Sequence, residues 1–281
     1  MRVGVLGASG FLGRHLAAAL RARGDEIVPA TLRNPSEAAS ALQACDALVN
    51  LSGEPVAQRW SAEAKRRIMD SRTVAVREFF DALAQRAPVA RVYVSASAIG
   101  YYGTSRTIHF TEESRAGEDF LGQVCIAWER EAQRAADFGM RVSIVRNALV
   151  LGADGGALPR AVAPFRMGLG GKIGDGQQWC SWVHVRDAIA IFLMALDGVG
   201  GVLNASAPNP VRNADFTKAL GDVLHRPTFF PVPAGVLSAA LGEGAYLLTE
   251  GQYVVPERTV AAGYTFRFTD IETALRDLLS P

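Results

Sequence analysis

The chain has 281 residues, 49% of them hydrophobic and 20% charged, with a formal net charge of +1. This length and composition exclude a disordered chain and fit one large α/β domain, with or without a smaller appendage. The near-neutral charge, without basic segments interleaved with aromatics, indicates no nucleic-acid partner, and no apolar run reaches the ~18–20 residues of a membrane span. Because the chain starts with a strand pattern rather than a charged leader, we expect a cytoplasmic protein.

Short apolar runs alternate with helical patterns in the first half of the chain, which is typical of a parallel sheet with helices on both faces. Strands are predicted at 2–6, 26–31, 47–51, 91–95, 141–146 and 201–205. Helices are predicted at 11–23, 36–44, 61–86, 120–138 and 186–196. The glycine-rich segments 154–157 and 168–176 are predicted as loops, and from residue 209 onward the chain is mostly helical with many prolines.

These elements predict a Rossmann-type α/β fold with a doubly wound parallel sheet, formed by residues 1–163 and 183–206. Residues 164–182 and 207–281 are predicted to form a small, mostly helical carboxy-terminal lobe on the substrate side. Ligands of such sheets bind outside the carboxyl ends of the strands, so we expect this lobe to cover the site.

The residues after the first predicted strand have the pattern of a dinucleotide-binding turn. Gly7, Gly10 and Gly13 stand between that strand and an amphipathic stretch that begins with Phe11 and Leu12. Gly7 permits a sharp turn, Gly10 lets phosphates approach the backbone, and Gly13 lets the helix pack closely. The free N–H groups of the first helical turn then face the anion. A tight turn without a ligand is the alternative, which the position between strand and helix disfavours.

The ends of the second and third strands favour NADP over NAD. An NAD site carries an acid at the end of its second strand, whereas Glu26 lies at the beginning of this one. Arg33 stands at the end, and its guanidinium suits a 2′-phosphate; a solvated loop arginine is the alternative. The third strand is followed by Ser52 and Gly53, whose small size leaves room for adenosine, although a plain turn would use the same residues.

The three cysteines and four histidines are scattered along the chain. Their number and spacing predict neither a disulfide framework nor a metal site. We predict that Cys125 is a buried small side chain whose thiol pKa is raised by Glu129 and Glu131 nearby.

Together these residues resemble the extended short-chain dehydrogenase/reductase superfamily, whose first turn reads Gly-x-x-Gly-x-x-Gly. More narrowly, the chain is similar to an atypical branch of epimerase-like proteins with a characteristic carboxy-terminal domain. The similarity covers nearly the whole chain, and the matching blocks are 50–56, 70–72, 95–103, 164–171, 174–184 and 226–233. The resemblance implies NADP(H) as the cofactor, and the predicted cofactor site adds to the turn the residues Leu32, Arg33, Leu51, Ser52, Gly53 and Arg72, the last on the predicted helix 61–86.

The chain lacks the Tyr-x-x-x-Lys motif through which most members of this superfamily transfer protons. None of its three lysines has a tyrosine four residues before it. Aligning Glu129 with the glutamate that often follows the motif places Leu121 and Cys125 at the two catalytic positions. Neither residue replaces the pair, because leucine has no proton and a thiol is no fixed cation.

Three residues near the end of the fourth strand are candidates for the missing chemistry. Ser97 lies near the position of the superfamily's Ser or Thr; a strand-end hydroxyl bonded to the backbone is the alternative. Tyr101 and Tyr102 could reach the nicotinamide side of the pocket, and packing against the cofactor without proton transfer is the alternative.

The segment 178–184 is expected near the substrate. Gln178, Trp179 and Trp182 could contact a substrate ring, or the aromatic residues could form a cluster that holds the two lobes together. His184 could contact substrate or be a hydrogen-bonded structural histidine.

Two functions remain open at this point. The first is an NADP-dependent oxidoreductase or epimerase that acts on a small carbonyl or sugar-like molecule, with the cofactor supplying the hydride chemistry. The second is a binding protein that senses NADP(H) without turnover, which the missing Tyr/Lys pair favours. The predicted helix 61–86 could pair with a second subunit, but nothing in its pattern requires an oligomer.

Overall fold

A parallel sheet of six strands lies at the centre of the computed structural model, which describes residues 1–280. Pro281, which the predicted carboxy-terminal lobe includes, lies outside the described residues. In chain order the strands are β1 (Arg2–Leu6), β2 (Glu26–Ala30), β3 (Ala47–Asn50), β4 (Val92–Ala98), β5 (His109–Phe110), β6 (Arg141–Asn147), β7 (Leu149–Gly152), β8 (Gly155–Gly156), β9 (Trp179–Cys180), β10 (Trp182–His184), β11 (Gly201–Ala205), β12 (Val211–Arg212) and β13 (Tyr253–Val254).

The helices before residue 200 are α1 (Phe11–Ala22), α2 (Pro35–Leu42), α3 (Ala62–Asp70), α4 (Val74–Ala84), α5 (Phe120–Gln133), α6 (Leu158–Arg166) and α7 (Val185–Asp197). Those after it are α8 (Asn213–Leu224), α9 (Ala234–Leu241), α10 (Tyr246–Thr249), α11 (Glu257–Ala261) and α12 (Ile271–Leu279). Short 3₁₀ helices occupy Ile99–Tyr102, Arg134–Phe138 and Glu243–Ala245. No helix among residues 1–280 is both long enough and apolar enough to cross a membrane.

The central sheet has the order β11-β6-β4-β3-β1-β2, and all its neighbouring strands are parallel. The strand order reverses between β1 and β3, and in sheets of this kind the ligand crevice lies outside the carboxyl ends of the strands at that point. β3 is buried along its whole length, as expected for a central strand covered by helices on both faces. The prediction of a Rossmann-type doubly wound sheet is confirmed.

Hydrophobic clusters fill the space on both faces of the sheet. On one face Val5 packs with Leu16 of α1 and Phe192 of α7, and all three side chains are fully buried. On the other face Leu42 of α2 and Phe80 of α4 belong to a second buried cluster. These layers fix the strands, and therefore the positions of the loops at their carboxyl ends.

The carboxy-terminal residues are mainly helical and share a third cluster with the middle of the chain. Leu151 of β7 and Trp182 of β10 are buried there with Phe216 of α8 and Leu275 of α12. The two-residue strands β12 and β13 add further links, because β12 pairs with β9 and β13 pairs with β5.

The prediction of one helix over 61–86 is wrong. The chain turns at residues 71–73, between α3 and α4. There the Ser71 hydroxyl donates to the carbonyl of Ile68 and accepts the backbone N–H of Glu54, and the Arg72 guanidinium also donates to Ile68. The Ile68 carbonyl, which would accept a backbone N–H if the helix continued, thus accepts from side chains instead. The turn also buries Arg72.

The prediction of an irregular loop at 154–157 is also wrong, because β7 and β8 form an antiparallel hairpin there. The hairpin closes over the ring of Phe11, and a Cβ atom placed on Gly155 would lie 2.4 Å from that ring. Small residues therefore let the strands meet above an aromatic side chain. Two element ends differ from the prediction by three residues or more: β4 continues to Ala98 and so includes Ser97, and α5 ends at Gln133, before a 3₁₀ turn.

Candidate functional site

The turn between β1 and α1 presents backbone donors at the carboxyl end of the sheet. Gly7 has φ +83°, a conformation that favours glycine, and its N–H donates to the carbonyl of Ala30 at 3.1 Å. A Cβ atom on Gly13 would lie 2.2 Å from the Gly7 carbonyl oxygen, so the helix packs directly on the turn. Gly10 caps α1 without any side-chain bond, which leaves the first N–H groups of the helix open to a ligand.

The side chains of Phe11 and Leu12 pack against other parts of the protein. The Phe11 ring packs under the β7–β8 hairpin and meets His15 edge-on at 5.2 Å. His15 in turn contacts Asp154 of the hairpin at 2.8 Å. Leu12 packs against the core under α1. These two residues were predicted to belong to the cofactor site, and their side chains hold the turn in place.

Beyond the end of β2, Leu32 is buried and Arg33 is exposed. Within residues 1–280 the Arg33 guanidinium makes no hydrogen bond or ion pair. The nearby acid Glu37 is engaged by Asn34, whose amide donates to it at 3.0 Å and whose oxygen caps α2. A free guanidinium therefore stands where the second strand ends.

Asn50, the last residue of β3, shapes the loop that follows. Its buried amide donates to the Tyr93 hydroxyl at 3.1 Å, and its oxygen accepts the backbone N–H of Ser52 at 3.0 Å. The Ser52 hydroxyl is buried and has no partner among the described residues. A Cβ atom on Gly7 would lie 3.1 Å from the carbonyl carbon of Leu51, so the first and third loops touch. Sequence reasoning missed Asn50, although a polar residue that ends an apolar strand was a usable signal.

Arg72 lies in the turn between α3 and α4, close behind Gly53. Its side chain is 8% exposed, and one guanidinium nitrogen donates to the carbonyls of Glu54 and Ile68 at 3.0 and 3.1 Å. Within residues 1–280 it pairs with no carboxylate. Burial lowers the pKa of Arg72 below its ordinary value. The crevice thus has open N–H groups, an orphaned hydroxyl and two cations, which together suit an anionic ligand.

Ser97 belongs to a buried polar network on the α5 side of β4. Its hydroxyl donates to Glu129 of α5 at 2.6 Å. The same carboxylate accepts two bonds of 2.8 Å from the guanidinium of Arg146 on β6. All three residues are buried, so the proton of the Ser97 hydroxyl is held by protein. Sequence reasoning missed Arg146 entirely.

The two candidate tyrosines differ in what their hydroxyls do. Tyr102 is buried; its hydroxyl donates to Asn204 at 2.7 Å and accepts from Arg146 at 3.0 Å, and burial raises its pKa to about 12. Tyr101 is half-buried, with the Arg146 guanidinium 3.3 Å from the centre of its ring. Its hydroxyl has no partner in the described part of the chain. Of the three candidates, only Tyr101 offers an uncommitted hydroxyl.

The face of α5 that carries Leu121 and Cys125 contains no proton-transfer pair. Leu121 packs against Gly100, and the buried Cys125 thiol lies 3.6 Å from the carbonyl oxygen of Ala98. Burial, and then the charge of Glu129, raise the pKa of Cys125 to about 12. The prediction that Cys125 is buried is confirmed, but of the two glutamates expected to raise its pKa only Glu129 does so, and Glu131 pairs with Arg77 at 2.6 Å. Among residues 1–280 no group of three His, Cys, Asp or Glu side chains is placed to hold a metal ion.

The segment 178–184 has structural contacts throughout. Trp182 is fully buried in the third cluster, and the buried Gln178 amide donates to the carbonyls of Ile173 and Leu248. Trp179 lies edge-on to Tyr253 at 4.7 Å with Arg212 over its ring. These contacts favour the alternative in which the aromatic residues join parts of the molecule.

His184 is fully buried where α7 begins. Its Nδ1 atom accepts the N–H of Arg186 and caps the helix, and its ring stacks on Phe268 at 3.9 Å. Its Nε2 atom lies 3.2 Å from a carboxylate oxygen of Asp277 on α12. These contacts favour the structural role for His184.

Comparisons with known proteins give a consistent result. Residues 3–205 match the NAD dependent epimerase/dehydratase family, and residues 232–278 match a domain of unknown function, DUF1731. The Arabidopsis thaliana epimerase family protein SDR39U1 homolog, chloroplastic, is 41% identical over 99% of this chain and 87% of its own length. The epimerase family protein YfhF of Bacillus subtilis (strain 168) is 36% identical over 100% of this chain and 98% of its own. The crystal structure of human epimerase family protein SDR39U1 (isoform 2) with NADPH has a TM-score of 0.92 and 36% identity, and covers 99% of each chain.

The family match spans the whole central sheet, from β1 to β11, and the second match covers α9 to α11 and most of α12. The expected resemblance to epimerase-like short-chain dehydrogenases/reductases with a characteristic carboxy-terminal domain is thereby confirmed. This chain belongs to the NAD dependent epimerase/dehydratase family.

Proposed function

We propose that this protein binds NADP(H) in the crevice at the carboxyl ends of β1, β2 and β3. We further propose that it is an oxidoreductase or epimerase acting on a small carbonyl or sugar-like molecule. The observation that carries the cofactor assignment is the free guanidinium of Arg33 at the end of a strand that has no acid there. The human relative with a TM-score of 0.92 was crystallised with NADPH, which supports the same choice.

The residues of the crevice fit such a cofactor. The open N–H groups of the first turn of α1 suit the pyrophosphate, because the positive end of the helix dipole lies there. The orphaned Ser52 hydroxyl and the exposed Gly53 leave both a polar partner and space for a ribose. Arg33 and Arg72 would supply positive charge to phosphates.

Bound NADP(H) would supply the hydride chemistry, and the chain's part is to orient the substrate and move a proton. We assign the proton transfer to Tyr101, because its hydroxyl is uncommitted among the described residues, whereas those of Ser97 and Tyr102 bond to Glu129 and Asn204. The Arg146 guanidinium packs against the ring of Tyr101 and would hold that ring in place.

The cofactor assignment is tested by titration calorimetry with NADPH and NADH. Arg33→Ala should weaken NADPH binding about ten- to a hundredfold and NADH binding far less, because only NADPH has the 2′-phosphate. Arg91→Ala is the matched control, since Arg91 is an exposed arginine just before β4, at the amino ends of the strands and so away from the crevice. Equal weakening of both nucleotides by Arg33→Ala would refute the assignment.

A second function, an NADP(H) sensor without turnover, is favoured by the bonds that hold Ser97 and Tyr102. The two functions separate when NADPH oxidation is followed against ketones, aldehydes and sugar nucleotides. Turnover that survives Ser97→Ala and disappears in Tyr101→Phe supports the enzyme with Tyr101 as proton donor. Silence across the panel, with NADPH binding intact, favours the sensor.

A further inference from the structure

A buried tryptophan lies behind Arg72. Trp128 is on α5, 6% exposed, and the central carbon of the Arg72 guanidinium is 4.9 Å from the centre of its ring. Gly53 also lies close to Arg72, because a Cβ atom added there would lie 2.8 Å from the guanidinium. The guanidinium therefore lies near both an aromatic ring and a glycine that is exposed in the crevice.

The way in which Arg72 is held differs from that of the other deeply buried arginine. Arg146 is 3% exposed and is neutralised by two bonds to Glu129. Arg72 is nearly as buried, yet its partners are two backbone carbonyls, the Ser71 hydroxyl and an aromatic ring, all of them uncharged. An unpaired buried charge is strongly unfavourable, and a bound anion would supply the opposite charge that Arg72 lacks.

We propose that Trp128 is a positioning residue that holds the Arg72 guanidinium toward an anionic group of bound NADP(H). The inference rests on the proposed function. A carboxylate would also orient the guanidinium, but it would cancel the charge that the ligand needs. A ring attracts the cation through its quadrupole and leaves the net charge in place. Among residues 1–280 the remaining guanidinium nitrogens, Nε and Nη2, form no hydrogen bond and are free for the ligand.

A role in core packing alone is the competing explanation, because Trp128 also belongs to the cluster on the α1 side of the sheet. The two explanations differ in their dependence on charge. A packing role predicts the same loss of affinity whatever residue stands at position 72, whereas a positioning role acts only through the Arg72 cation. A double-mutant cycle between positions 72 and 128 separates them.

The experiment measures the Kd of NADPH for the wild type, Trp128→Leu, Arg72→Gln and the double variant. Trp128→Leu should weaken NADPH about three- to tenfold in the wild-type background and leave the Arg72→Gln protein nearly unaffected. It should also flatten the dependence of Kd on salt concentration, which a packing defect does not change. Trp128→Phe keeps an aromatic face and should fall between the wild type and the leucine variant.

Phe79→Leu is the control, because Phe79 is a fully buried aromatic residue on α4 whose loss should lower stability without changing the Kd. Equal effects of Trp128→Leu in both backgrounds would overturn the inference while leaving NADP(H) binding established. Where Trp128→Leu fails to fold, the cycle is run with Trp128→Phe, and an effect independent of Arg72 overturns the inference in the same way. A wild-type protein that binds no NADPH removes the proposed function itself.

Discussion

Glu129 accepts hydrogen bonds from the Ser97 hydroxyl and from the Nε and Nη2 atoms of Arg146, in the interior between β4, β6 and α5. Its neutralisation would leave the Arg146 cation buried without a counter-charge. Removing one partner of a buried ion pair typically lowers stability by about 3–5 kcal/mol, more than the pair itself contributes. The network therefore fixes where β4 and α5 meet, and it explains why Ser97 cannot turn toward a substrate without breaking a bond to a carboxylate.

We expect Glu129→Gln to lower the free energy of unfolding by about 3–5 kcal/mol, measured by urea denaturation. Glu113→Gln is the control, because Glu113 is exposed and should change stability by less than about 0.5 kcal/mol. A loss below about 1 kcal/mol for Glu129→Gln would show that the interior tolerates an unpaired Arg146.

At the residue scale, the sequence could predict positions but not partners. The positions of the turn glycines and of Arg33 were predictable because they follow from the nearest strand end. Ser97 was placed in the same way, yet its acceptor Glu129 lies 32 residues away, and Arg146, which bonds to the same carboxylate, lies 17 residues beyond that. Such a network depends on which faces of a helix and a strand meet, and that is settled by packing of the whole sheet.

His184 connects three elements through a single buried ring. It caps α7, stacks on Phe268 and faces Asp277 of α12, while Asp187 and Arg186 are the nearby charges on α7. Burial lowers the pKa of His184, and the two aspartates offset this only in part. Since the folded-state pKa lies below the unfolded value, this group stabilises the fold fully above the unfolded pKa. That stability is lost as the pH falls through the folded pKa.

We therefore expect the free energy of unfolding to fall below about pH 6.5, with His184 contributing at most about 1.4 kcal/mol per pH unit. His184→Asn keeps a capping acceptor but cannot titrate. The difference in stability between wild type and this variant should shrink as the pH is lowered from about 8 to about 4, measured by urea denaturation. A difference that is constant over this range would contradict the titration of His184.

At the scale of elements, the prediction succeeded where a pattern is local. The strands β1, β3 and β11 are short, mainly apolar runs, and their ends were placed to within one residue. The predicted helix 61–86 failed because its interruption depends on bonds from Ser71 and Arg72 to a loop and a helix turn before them. The hairpin of β7 and β8 was missed because the Phe11 ring beneath it lies far away in the sequence.

For the molecule as a whole, the carboxy-terminal helices were predictable but their attachment was not. β12 and β13 are two residues long, and they pair with β9 and β5, which are equally short. Glu112 is buried and accepts the N–H groups of Asn204, Arg258 and Thr259, so one carboxylate links β11 to α11. No periodic pattern in the sequence predicts contacts of this kind, because each contact involves only one or two residues.

Because of these links, we expect the carboxy-terminal helices to unfold as one cooperative unit with the crevice at the carboxyl ends of β1 and β3. Leu275 of α12 shares its hydrophobic cluster with Leu151 and Trp182, so α12 cannot separate from the middle of the chain without exposing that cluster. We expect NADPH bound near β1 and β3 to stabilise α12 equally, by about 2.7 kcal/mol at a hundredfold excess over Kd. Hydrogen exchange of β3 and α12, with and without NADPH, measures this. Slower exchange in β3 with no change in α12 would show that the two regions unfold separately.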